Sequence, residues 1–269
     1  MHRLDEVAAA LLAAERSRTP VSPPTETLPQ LSIADAYAIQ RIGLQLRRAE
    51  GAVVVGHKIG LTSLAMQELL GVDQPDFGYL TAAMVSESGC MLSAGDFLAP
   101  RAEAEIAFRF ARPLAGPDLD VADVLAAVDA VAPAIEVIDS RIADWRLTIA
   151  DTVADNASSG HVVLGAWQPL GALDLAAVEA ELTVAGPGGR HEAVQGRGGA
   201  VLGHPATAVA WLARALHEYG GTAIAPGEIV LSGAMARAVV VQAEDTVRAT
   251  AGQLGAVTAQ FAAARPRSG

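Results

Sequence analysis

The sequence predicts an α+β fold, with a helical N-terminal portion followed by a mixed, mostly antiparallel sandwich or barrel. Three observations predict it. Apolar residues recur at three- and four-residue spacings through the first fifty positions. Beyond Asp76 the texture changes to short apolar runs separated by Gly, Pro and Asp. Only two helical stretches interrupt those runs, too few for the alternating strand–helix units of a parallel sheet. The chain has 269 residues, 51% of them hydrophobic and 18% charged, so it can bury a sizeable core. Aromatic residues make up only 4%, which leaves Ala, Val, Leu and Ile to build that core.

The elements follow in order. Residues 1 to 18 read as a helix that stops before the Pro-rich stretch Thr19 to Pro24. Ser32 is a good N-cap for a second helix, with Asp35 at capping-box spacing. Its apolar face would run through Ala36, Ile39, Ile42 and Leu46, and Gly51 ends it. Val53-Val54-Val55 reads as a short buried strand, and a further helix is expected around Leu64 to Leu70. Asp76-Phe77-Gly78-Tyr79 looks like a hinge, which divides the chain into a helical portion, 1–75, and a second unit, 76–269. Strands are expected at Ala104 to Phe110, Ala134 to Ile138, His161 to Leu164, Leu182 to Ala185, Glu228 to Leu231, Val239 to Gln242 and Ala256 to Phe261. The two later helices are Val121 to Val131 and Pro205 to Tyr219.

Charge and cysteine content narrow the function. The formal charge is -11 and no Lys/Arg stripe occurs, so nucleic acid and anionic membranes are poor partners. Cys90 stands alone, which leaves no intrachain disulfide and no thiolate zinc site, and points to a reducing compartment. The apolar run Val7 to Ala14 lies between Glu6 and Glu15, as in an amphipathic helix rather than a secretion signal. No window approaches the ~18 apolar residues of a membrane span. A cytoplasmic protein is expected.

Three segments could carry chemistry. In a strand, Glu103 and Glu105 point to the same face, where they repel unless a cation or proton lies between them. Taken alone, such a pair is more often a solvated strand edge. Glu136 stands within an apolar strand, and a carboxylate there needs a partner. An ion pair with Arg141 or Arg101 is the plain alternative. Together the three carboxylates make an oxygen-only site suited to Mg²⁺ or Mn²⁺ rather than zinc. Asp151 to Gly160 is rich in small polar residues and suggests a ligand-binding loop or a capped turn. Lys58, beside an apolar strand, is either exposed or a buried partner of a carboxylate. No dinucleotide fingerprint, P-loop, zincin helix or nucleophile elbow is present.

Several blocks together resemble one family. They are Gly56-His57-Lys58-Ile59-Gly60-Leu61-Thr62-Ser63, Leu70 to Gly78, Pro100 to Ile106, Glu136 to Arg141 with Asp144-Trp145, Asp151 to Gly160, and Leu202-Gly203-His204-Pro205. In this order they resemble the 2-oxopent-4-enoate hydratase / 4-oxalocrotonate decarboxylase family of the fumarylacetoacetase-like superfamily. The resemblance implies a β-sandwich roll with a helical N-terminal portion, so 76–269 would be the catalytic domain. It makes Glu103, Glu105 and Glu136 metal ligands, Lys58 and Asp76 catalytic, and Ser158, Arg141 and Asn156 substrate-binding. The implied reaction ketonises a 2-hydroxydienoate by protonation at its far carbon and then adds water, giving a 4-hydroxy-2-oxo acid in the catabolism of aromatic compounds. Decarboxylation of a 2-oxo diacid at the same site is the alternative, and a non-catalytic partner subunit is another. A homo-oligomer is also implied, as is a complex with a related decarboxylase. Met235-Ala236-Arg237-Ala238 departs from the family's usual Pro-containing segment, and Arg237 could reshape the pocket or bind a second carboxylate.

Overall fold

Local signals build the N-terminal helices. In the computed structural model, which describes residues 2–63, 67–68, 72–220 and 222–263, α1 spans His2–Ser17, α2 Pro24–Thr27 and α3 Ile33–Ala49. Ser32 and Asp35 close the expected capping box: Asp35 donates its N–H to Ser32 Oγ at 3.1 Å, and Ser32 donates its N–H to Asp35 Oδ2 at 3.3 Å. The buried stripe of α3 is Ala36, Tyr37, Ile39 and Gln40, whereas Leu46 is 38% exposed. Tyr37 sets that stripe by stacking on Phe77 and Tyr219, each at 4.4 Å between ring centroids. Of the helix expected at Leu64 to Leu70, only Gln67 and Glu68 are described, and both are helical.

Two sheets form the body. The first, among the described residues, has nine strands. Seven run in the order β2 (Asp76–Thr81), β1 (Val54–Gly60), β11 (Ile229–Leu231), β5 (Arg101–Phe110), β6 (Val128–Ile138), β7 (Ser159–Leu164), β3 (Val85–Glu87). β12 (Val239–Val240) pairs with β5, and β8 (Gln168–Pro169) with β6. The second runs β10 (His191–Arg197), β9 (Glu179–Ala185), β13 (Thr246–Ala251), β14 (Ala256–Ala262), β4 (Cys90–Ser93). Most pairs are antiparallel; β1–β11, β3–β7 and β4–β14 are parallel. The later helices are α4 (Val121–Ala127), α5 (Ile149–Ala154) and α6 (Pro205–Gly220).

The first sheet curls until β2 meets β7. A Cβ added to Gly78 would lie 2.4 Å from Asn156 O and 2.6 Å from Ser159 Oγ, so only glycine permits the closure. Strand alternation then divides the side chains. One face of β5 and β6 carries Ile106, Phe108, Ile135 and Val137 into the main core, shared with Val184, Val247 and Phe261 of the second sheet. Inside the curl, Leu80, Ala107, Ala132, Ala134, Val162 and Leu231 form a small buried plug. Truncating fully buried Phe108 to Ala would cost ~3–5 kcal/mol.

Several local expectations are corrected. The strand expected at Val53 to Val55 begins at Val54 and runs through Gly60, because β1 gains a ladder on both sides, and Val53 is 62% exposed. Asp76 to Tyr79 is no hinge but part of the fully buried strand β2, so the 75/76 division falls between two paired strands of one sheet. The helix expected to reach Val131 stops at Ala127, because Val128 and Val131 pair with Phe110 and Phe108. Asp151 to Gly160 contains the end of α5 and a buried turn rather than an open loop. No helix among the described residues is long and apolar enough to cross a membrane.

Candidate active site

The polar groups sit where the inner face of the curl meets a cavity. Glu103 and Glu105 share that face of β5, and the β5–β6 register sets Glu103 opposite Glu136. One carboxylate oxygen from each of the three residues lies within 4.8 Å of the others. Glu105 and Glu136 are buried, and Glu103 is half-buried at the cavity wall. Gly233 donates its N–H to Glu105 Oε2 at 2.8 Å. Its φ of 106° and its contact with Thr62 allow no side chain there. Glu105 Oε1 and both oxygens of Glu136 are buried without a hydrogen bond among the described residues.

Lys58, on β1, puts Nζ 3.2 Å from Glu136 Oε1, a charge contact rather than a directed hydrogen bond. Burial disfavours its ammonium, but Glu136, Asp76, Glu103 and Glu105 outweigh burial and hold its pKa above the ordinary lysine value. Burial and the nearby Glu136 push Glu103 up to about 7, against the pull of Lys58. Burial, then Glu136 and Glu103, raise Glu105 well above the carboxylate range. Asp76, on β2, is raised by burial, with Lys58 and Thr152 opposing. Thr152 on α5 donates its hydroxyl to Asp76 Oδ2 at 3.0 Å and leaves Oδ1 without a hydrogen bond. A Cβ on Gly60 would lie 2.2 Å from that Oδ1, so the missing side chain is what lets Asp76 approach. The cavity, about 580 Å³, is lined by Lys58, Asp76, Glu103, Thr152 and Ser158, with an apolar wall that includes Leu61, Ile138, Trp145 and Met235.

Residues 62–262 match the model for the C-terminal region of fumarylacetoacetate (FAA) hydrolase. The chain belongs to the fumarylacetoacetate hydrolase family. Within this family it is 44% identical over 254 residues to a 2-hydroxyhexa-2,4-dienoate hydratase of Comamonas testosteroni, covering 93% of this chain and 94% of that one. It is 42% identical over 259 residues to a 2-keto-4-pentenoate hydratase of Paraburkholderia xenovorans, covering 96% and 94%. Among solved structures, 4-oxalocrotonate decarboxylase from Pseudomonas putida G7, complexed with magnesium and adipate, superposes with a TM-score of 0.91 at 33% identity over 97% of both chains.

Of the residues expected at the site of this family member, Glu103, Glu105, Glu136, Lys58, Asp76 and Ser158 come together. Glu136 pairs with Lys58, not with Arg141 or Arg101. Arg141 is corrected: it lies outside the cavity, buried against Asp155 at 2.5 Å, and donates to Asp139 O and Ser159 O at 2.6 and 2.7 Å. Asn156 is corrected too. Its amide spans the Tyr79 backbone, accepting from N–H at 2.9 Å and donating to the carbonyl at 3.0 Å, and it does not line the cavity. Arg237 lines the cavity but donates to Glu192 at 2.7 Å. Sequence reasoning assigns no role to Thr152, Gly60 or Gly233; Asp151 beside Thr152 and Lys58 near Gly60 are the local signals that could have found the first two, and nothing ionisable flanks Gly233. An all-oxygen cluster with buried lone pairs that accept no hydrogen bond fits a hard divalent cation held by Glu103, Glu105 and Glu136.

Proposed function

We propose that this chain is a divalent-metal-dependent hydratase. It adds water to a 2-hydroxypenta-2,4-dienoate (2-oxopent-4-enoate) type substrate in the meta-cleavage catabolism of aromatic compounds, giving a 4-hydroxy-2-oxo acid. One observation carries it: three clustered carboxylates, a lysine and a fourth carboxylate meet at one cavity, in a chain whose relatives at 42–44% identity are named hydratases of such acids. Glu103, Glu105 and Glu136 would hold Mg²⁺ or Mn²⁺, which supplies Lewis-acid stabilisation of negative charge on the substrate's 2-oxygen.

The chain's own groups do the rest. Lys58 stays an ammonium, steadied by Glu136, and turns its remaining N–H groups toward an anionic substrate oxygen. Asp76 moves the protons through Oδ1, because Thr152 occupies Oδ2. It accepts the proton of the 2-hydroxyl and returns one to the terminal carbon, which turns the dienol into a conjugated enone. It then takes a proton from water as the oxygen attacks the fourth carbon, and delivers that proton to the third. Ser158 Oγ, buried at the cavity and without a hydrogen-bond partner among the described residues, is free to orient substrate.

The test is a panel of 2-hydroxydienoates and 2-oxo diacids given to the protein with Mg²⁺ or Mn²⁺. Dienoate absorbance should disappear without release of carbon dioxide. Chelation should abolish turnover, and either ion should restore it. Carbon dioxide from a diacid, with no hydration, would replace this reading by the decarboxylase one, which the 33%-identical decarboxylase makes the natural rival. Full activity after exhaustive chelation would remove the metal.

A further inference from the structure

The basic side chains along the cavity are not equivalent. Among the described residues lining it, these are Lys58, Arg101 and Arg237. Lys58 is committed to Glu136 at 3.2 Å, and Arg237 to Glu192 at 2.7 Å. The Arg101 side chain forms no hydrogen bond or ion pair among the described residues. Its guanidinium lies over the Trp145 ring, with Cζ 4.4 Å from the centroid. Two residues before Glu103 on β5, Arg101 faces the same side as the carboxylate cluster.

The surface beneath Arg101 is built at a cost. Asp144 and Trp145 both adopt left-handed backbone, φ 59° and 54°, where a side chain other than glycine costs ~1–3 kcal/mol each. Such a turn persists only where its surroundings hold it, and its product is an indole in the cavity wall under a guanidinium. Stacking on an aromatic face holds the guanidinium plane while leaving its N–H edge open, and that edge matches a carboxylate with two parallel hydrogen bonds. An anion entering beside Glu103, Glu105, Glu136 and Asp76 needs a cation whose N–H groups are not already taken by one of them. Arg101 is that cation.

We infer that Arg101, held flat on Trp145, is the carboxylate-recognition residue of this cavity. The inference rests on the cavity being one for 2-oxo acids, as proposed above. The carboxylate could be the one adjoining the 2-oxo group, or a second one at the far end of a diacid, and binding measurements separate the two.

Titration calorimetry on the Mg²⁺-loaded protein would use 2-oxopentanoate, which has one carboxylate, and adipate, which has two. Arg101→Gln should weaken binding by about 10- to 100-fold, the range for a lost charge-assisted hydrogen-bonded contact. Arg101→Lys should recover part of the loss, and Trp145→Phe should weaken binding less than Arg101→Gln. In turnover, KM should rise by more than kcat falls. Loss for both probes assigns Arg101 to the carboxylate beside the 2-oxo group; loss for adipate alone assigns it to a second carboxylate; either supports recognition. Unchanged affinity for both probes in Arg101→Gln, with melting and Mg²⁺ binding as in the parent, overturns the inference. A parent protein that binds neither probe overturns instead the reading of the cavity on which it rests.

Discussion

Ser158 reaches the cavity because its backbone is held in an unfavourable shape. Asn156, Ala157 and Ser158 are successively left-handed, φ 53°, 50° and 53°, and each is a strained state for a residue with a side chain. The compensation comes from Asn156, whose amide fastens both backbone groups of Tyr79. Tyr79 is braced in turn, since its hydroxyl accepts from Arg47 Nε at 3.1 Å and Arg47 pairs with Glu15. Asn156 is expected to act by positioning Ser158 rather than by touching substrate. Ser158→Ala and Asn156→Ala should each lower kcat/KM by about tenfold or more, but the double variant should be no worse than Ser158→Ala alone. Additive losses would show that Asn156 acts independently of Ser158. At the cluster, Glu136→Gln should cost about two orders of magnitude in kcat, since a bound ion contributes several kcal/mol. Glu181→Gln, in the second sheet with Gln195 as partner at 3.3 Å, should cost almost nothing. Equal activity of the two variants would reduce Glu136 to a structural partner of Lys58.

At the scale of elements, the short helix α5 depends on a remote segment. Asp151 caps it by accepting from Thr148 N–H and Oγ1 at 2.9 and 2.8 Å, and Thr25 adds its own N–H and Oγ1 at 2.9 and 2.8 Å. Because α5 carries Thr152, which holds Asp76, this tie links α2 to the carboxyl group proposed to move protons. Thr25→Val should lower stability by ~1–3 kcal/mol, the worth of a half-buried hydrogen bond to a charged acceptor, read by denaturant midpoint. A variant as stable as the parent would make the tie incidental. What could be read ahead of the structure follows the same division of local and distant. Glu103, Glu105, Glu136 and Lys58 were legible because each breaks an apolar strand pattern. Strands β5, β7, β9 and β14 were legible as short apolar runs bounded by Gly, Pro and Asp. Arg141 and Asn156 were misjudged because a polar residue satisfied by distant backbone looks, in one dimension, like one waiting for a ligand. The pairing of β1 with β11, the burial of β2 and the stacking of Arg101 on Trp145 depend on how the sheet curls, and no local pattern encodes them.

At the scale of the whole molecule, folding concentrates like charges that either a bound cation or protons must reconcile. The chain carries a formal charge of -11 and packs three carboxyl groups into one cluster at the end of its curled sheet. Without metal, protons do the reconciling: Glu103 is pushed up to about 7, and Glu105 and Glu136 are raised as well, all chiefly by burial. The sign follows from linkage. A carboxyl group whose folded pKa lies above its unfolded value makes the native state bind more protons, so the metal-free protein loses stability as pH rises through that interval. Metal binding needs the carboxylates ionised and must release those protons. From the ordinary carboxylate range near 4.5 up to about 7, the metal-free melting temperature should fall through this contribution while Mg²⁺ affinity rises. The gain in melting temperature on adding saturating Mg²⁺ should therefore widen across the same window. Replacing Glu103 by Gln should flatten both trends, because the group that titrates near neutrality is gone. Parallel melting curves with and without Mg²⁺ from pH 5 to 7 would show that the cluster neither stores protons nor exchanges them for a metal ion.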